Sequence, residues 1–114
     1  MRKPREIKKE EARKMFLGTV LGIAQHWANE SRETDVQKKC EGVAFSIMSL
    51  LDGCNGNLPG FLLIPCPHPD DKEFMKSEGD DWFKEVPENV VDYDIGGNRL
   101  HDLFSEMRNE KIDL

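Results

Sequence analysis

Leu58-Pro59-Gly60-Phe61-Leu62-Leu63-Ile64-Pro65-Cys66-Pro67-His68-Pro69-Asp70-Asp71 is the stretch on which the fold of this chain turns. It holds the longest apolar run outside the helical patterns, four of the six prolines and a His-Pro-Asp-Asp cluster. Phe61 to Ile64 reads as a short apolar strand whose length is limited by Pro59 and Pro65. Pro67 and Pro69 keep the preceding residues, His68 among them, in extended backbone. Val90-Val91-Asp92-Tyr93-Asp94-Ile95 reads as a second short strand, broken by Gly96-Gly97. If both strands form, they make a small two-stranded sheet, marginal without support from helices.

Upstream, the apolar period changes to that of helices. Thr34 or Asp35 can cap a helix that runs to about Leu51, with Val36, Cys40, Val43, Ala44, Ile47, Met48 and Leu51 at helical spacing. Its last part is apolar nearly all round, which predicts the most buried helix. A strand over Phe45–Leu51 is the alternative, although the alternation there is poor. Asp52-Gly53 stops the element. Residues 5–30 predict an earlier helix, with Phe16, Val20, Ile23 and Trp27 at i, i+4, i+7 and i+11. A short connection favours antiparallel packing of this pair.

Downstream, Lys72 to Glu88 reads as a long acidic loop with one helical turn, pinned by Phe74, Met75, Trp82 and Phe83. Asn98 caps a final helix to about Lys111, with Leu100, Leu103, Phe104 and Met107 on one face. The expectation is therefore a helix-rich α+β fold: an antiparallel helix pair, a C-terminal helix and a small two-stranded sheet. Residues 1–114 form a single domain, and residues 1–6 form a frayed arm. Phe45, Ile47, Phe61, Leu63 and Phe104 are the expected core.

The charge pattern bounds the partners. The net charge is −6, yet residues 1–14 carry seven Lys/Arg against three Glu. The rest of the chain is strongly acidic, with ten acids between Asp70 and Asp94. Nucleic-acid binding is not expected, because the body of the chain offers no basic face. An acidic surface suggests a basic protein partner. No stretch has the length and apolarity of a membrane span, and no signal-peptide pattern opens the chain. Cys40, Cys54 and Cys66 lack CxxC spacing, which fits free thiols in a reducing cytoplasm.

His68, Asp70 and Asp71 are the groups that could do chemistry together. Imidazole nitrogen and carboxylate oxygen ligate divalent metals, and a second carboxylate can act as a general base. Ile64-Pro65-Cys66-Pro67-His68-Pro69-Asp70-Asp71 resembles the strand-end motif of zinc-dependent de-N-acetylases that act on GlcNAc conjugates. That resemblance implies His68 and Asp71 as zinc ligands and Asp70 as catalytic base. It ends at Lys72, where the family carries an acid. His101 is a candidate third ligand if the fold brings it close. A wider resemblance spans residues 40–104. Gly42 to Ile47, Leu51-Asp52-Gly53, Leu58 to Phe61, Pro67 to Asp71, Trp82-Phe83, Asp94 to Gly97 and Leu100-His101 together resemble small uncharacterised proteins of phages, prophages and other bacterial mobile elements. That likeness implies a bacterial or phage source and an accessory role.

Three functions follow as expectations. The leading one is a non-catalytic binding protein without a cofactor, an accessory factor engaging a host protein. The second is a small metal-dependent hydrolase using His68, Asp70 and Asp71. The third sequesters a small ligand in a pocket lined by Trp82, Tyr93 and Arg99, often at a subunit interface, which would make the chain a homo-oligomer.

Overall fold

The computed structural model describes residues 3–86 and 88–110. Among them are α1 (Lys9–Ala28), α2 (Val36–Leu51), α3 (Asp71–Ser77), a 3-10 turn (Val90–Tyr93) and α4 (Leu100–Glu110), and no strand. The predicted end of the last helix at Lys111 lies outside the described residues, as do Met1 and Arg2 of the predicted arm.

Helix α2 is the centre of the frame and packs against both α1 and α4. Asp35 is its cap: the carboxylate accepts the Gln37 amide at 2.9 Å and the Lys38 amide at 3.3 Å, taking up donors that the first turn leaves free. At the other end Gly53 sits at φ +84°, where a side chain would be strained. The Gly53 amide donates to Leu50 O at 3.1 Å and the Cys54 amide to Ser49 O at 2.9 Å, the bond pair that closes a helix around a left-handed residue. The chain then folds back, and the Phe61 amide donates to Leu51 O at 2.9 Å.

Helix α1 meets α2 through its predicted stripe. Phe16, Val20, Ile23 and Trp27 are all half-buried. The Trp27 ring lies over Gly42, where a Cβ would stand only 2.6 Å from it. The indole N–H donates to Ser46 Oγ at 3.0 Å, so the contact is both apolar and directional. Phe16 stacks edge-on against Phe61 at 5.3 Å, fixing the start of the central stretch to α1.

The α+β expectation is overturned. Residues 61–64 are extended but unpaired as a strand, and Val90–Tyr93 winds into a 3-10 turn. One backbone bond links the two segments, from the Ile95 amide to Leu63 O at 2.8 Å. The next rung is taken by a side chain: the Leu63 amide donates to Asp94 Oδ1 at 2.8 Å. A carboxylate thus stands where a ladder would need a backbone carbonyl, and Pro59, Pro65 and Pro67 offer no amide to extend one.

The acidic segment holds more helix than the one turn expected of it, because it opens with the seven-residue helix α3 before continuing as a loop. Gly79, at φ +75°, ends α3 by donating to Lys76 O while Asp80 donates to Met75 O, the same closure as in α2. Asn98 does not cap α4, since it lies at φ +59° and a remote carboxylate does that work.

Leu50 and Leu58 are the buried apolar side chains among the described residues, Leu50 completely so. Phe45, Ile47, Phe61 and Phe104 are half-buried, whereas Leu63, also expected in the core, is 37% exposed. The chain forms a flat plate of 51 × 45 × 19 Å with a radius of gyration of 17.9 Å. A compact domain of this length would have a radius of about 13 Å.

Candidate functional site

Two aspartates organise the long-range ties of the chain, Asp52 between α2 and α4 and Asp94 at the central stretch. Asp52 follows α2, where the helix dipole disfavours a carboxylate. Its side chain is nevertheless only 1% exposed. The compensation comes from α4: Asp52 Oδ1 accepts the Leu100 amide at 3.0 Å and Oδ2 accepts the His101 amide at 2.8 Å. His101 Nδ1 also donates to Oδ2. One carboxylate therefore caps α4, faces the positive end of its dipole and pairs with an imidazole.

Burial would raise the Asp52 pKa, but bonds from the His101 amide and ring and from the Leu100 amide hold it below the ordinary carboxylate range. His101 moves the other way. Its bond to Asp52 holds the ring above the usual imidazole value, against the effect of burial and with help from Asp102. His101 also packs edge-on against Phe45 at 6.0 Å.

Asp94 is the second organiser. Oδ1 accepts the Leu63 amide at 2.8 Å and the Gly96 amide at 3.0 Å, and Oδ2 accepts the Gly97 amide at 2.9 Å. These three bonds keep its pKa below the ordinary value.

The His-Pro-Asp-Asp cluster is a local turn that opens α3. Asp71 Oδ2 accepts the His68 amide at 2.8 Å, while His68 O accepts the Asp71 amide at 2.9 Å. His68 Nδ1 accepts the Asp70 amide at 3.1 Å. One potential ligand atom on each of His68 and Asp71 is therefore engaged in the turn, and Asp70 is exposed. His101 is engaged with Asp52. Among the described residues no group of three His, Cys, Asp or Glu is placed to hold a metal ion.

Trp82 and Tyr93 come together in one open groove with Lys72, Lys84, Glu85 and Val86. The Lys76 ammonium lies 4.8 Å from the Trp82 ring centre, and that of Lys84 lies 5.1 Å from the Tyr93 ring centre. Arg99 is not among the lining residues of this groove; its amide donates to Gly96 O in the turn before α4. A second open groove, lined by Leu62 and Val91, passes Asp94 and Asn98. Phe74, Trp82, Phe83, Val86, Val91 and Ile95 are all exposed, Phe83 at 70%.

Sequence reasoning passed over Asp52 and Asp94 as organisers. Asp52 reads as part of a helix stop, and Asp94 as one residue of the second short strand. The signal for Asp52 was a carboxylate at the negative end of an apolar helix, an unfavourable place unless something else claims it. No family model, curated protein or solved structure matches this chain. No helix among the described residues is long and apolar enough to cross a membrane.

Proposed function

We propose that this is a non-catalytic interaction protein that binds a basic protein partner through the apolar, acid-flanked surface of residues 74–93. The observation that carries this reading is the exposure of Phe74, Trp82, Phe83, Val86 and Val91 within one acidic stretch. Exposed apolar surface of this kind, rimmed by charge, is characteristic of docking sites. Aromatic anchors supply the binding energy and surrounding charge selects the partner. The likeness of residues 40–104 to phage and mobile-element proteins supplies the setting, an accessory factor engaging a host protein in the cytoplasm. The exposed thiols of Cys40, Cys54 and Cys66 fit a reducing compartment.

The test is site-specific photo-crosslinking in a bacterial lysate, with the label at Phe83 and, as control, at Gln37 on α2. The expected result is a basic protein trapped from position 83 only, in a yield that falls with salt. Identical sets of proteins trapped from both positions would contradict the reading.

A specific observation favours a second reading. Trp82 and Tyr93 share a groove with Lys72 and Lys84, which suits a small anionic ligand with an aromatic ring.

A further inference from the structure

Helix α1 carries two apolar stripes, and the frame uses one. Leu17, Leu21, Ala24 and Ala28 repeat the i, i+4, i+7, i+11 spacing of the packed stripe, displaced by one residue and so by about 100° around the helix. All four are exposed, the two leucines at 59% each. Gly18 and Gly22 flank them, with open space where a Cβ would stand. Alternating steps of three and four residues are the spacing of a helix-pairing seam.

We propose that this seam is a homodimer interface, in which α1 packs antiparallel against α1 of a second copy. Surface area argues for an occupant of substantial size. A folded monomer of 13.1 kDa exposes about 6,400 Å², whereas this chain exposes 9271 Å². The surplus is ample for a standard interface, which covers about 800 Å² on each partner. Charge argues for a second copy and for its direction. At the start of α1 Lys8, Lys9, Arg13 and Lys14 outnumber Glu10 and Glu11, and in the turn that follows its end Glu30, Glu33 and Asp35 outnumber Arg32, which pairs with Glu30. An antiparallel pair sets each basic end beside an acidic one, and a parallel pair sets like beside like. Side-chain size agrees. In the antiparallel register that places Leu21 opposite the partner's Ala24, Leu17 falls opposite the partner's Ala28. Every layer then matches a large residue with a small one, and the two-fold axis makes the patch self-complementary. The dimer uses α1 and not residues 74–93, so either proposal survives failure of the other.

Sedimentation equilibrium on the full chain tests it. The wild type should have twice the 13.1 kDa chain mass. Leu17→Glu with Leu21→Glu should be monomeric with unchanged helical circular dichroism, because both side chains are exposed in the single chain. If that variant fails to fold, a milder pair decides: Leu17→Ala should raise the dimer Kd about tenfold or more, and adding Ala28→Leu should recover most of the loss. A wild type that is monomeric at about 100 µM, well above a micromolar Kd, would overturn the proposal. So would a dimer whose Kd is unmoved by Leu17→Ala.

Discussion

Residues 9–58 and residues 59–98 satisfy their backbones differently. In the first region most of the amides sit in two helices, and the ends of α2 are closed by neighbours in sequence, Asp35 at one end and Gly53 at the other. In the second, the long-range ties are single bonds: Phe61 to Leu51, Leu63 to Asp94 and Ile95 to Leu63. The first region is cooperative, because each helical bond supports the next. The second depends on a few atoms, chiefly the two carboxylate oxygens of Asp94. A chain can therefore fix an irregular segment without a sheet, provided a carboxylate accepts several amides at once.

The largest effect is expected where the helical region is most buried. Leu50 is 0% exposed, and Leu50→Ala should lower unfolding free energy by about 2–5 kcal/mol in urea titration. A smaller loss would mean that the frame does not depend on the α2 core.

Asp52→Ala breaks the link between the end of α2 and the start of α4. It leaves two α4 amides and the His101 ring without their acceptor, and should cost about 1–3 kcal/mol. The penalty should depend on pH. His101 is raised, so its contribution is complete below its unfolded pKa near 6.5 and fades as pH rises through the folded value. Asp52 is lowered, so its contribution is present above about pH 4 and fades as pH falls through the folded value. The difference in urea midpoint between wild type and Asp52→Ala should be widest between about pH 4 and 6.5 and narrow on both sides. A difference that stays constant from acid to alkaline pH would remove the ion pair from the account.

The smallest effect is expected in the central stretch. Leu63→Ala should cost about 1 kcal/mol, because the residue is 37% exposed and only part of its apolar surface is removed from water. A loss as large as that of Leu50→Ala would show that the stretch is buried in solution and sharpen the case for a covering subunit.

The same contrast explains what the sequence disclosed. The stripe Phe16–Val20–Ile23–Trp27 was legible because helical periodicity records a packed face many times over, whereas the stripe expected for α2 includes Val36 and Cys40, which are exposed, and leaves out Leu50, which is fully buried. The cap at Asp35 and the stop at Gly53 were legible as local chemistry. Gly79 closes α3 in the same way, but the sequence around it reads as an acidic loop. Phe61–Ile64 and Val90–Ile95 were not legible as they are. Apolar β-branched runs suit strands, but an aspartate in the second run takes the bonds that a ladder would use. The meeting of Asp52 with His101 joins positions 49 residues apart and leaves no periodic trace. For the candidate site, Trp82 and Tyr93 share a groove as residues of one segment can, while His68, Asp70 and Asp71 meet in a turn that opens α3.

The central claim is that Asp94, and not a sheet, holds residues 61–64 to residues 94–97. Amide hydrogen exchange by NMR in wild type and Asp94→Ala tests it most directly. The prediction is protection at Leu63, Gly96 and Gly97 in the wild type, its loss in the variant, and unchanged protection through α1 and α2. Alternating protected amides along 61–64 and 90–95 that survive the substitution would reveal a strand ladder and contradict the account.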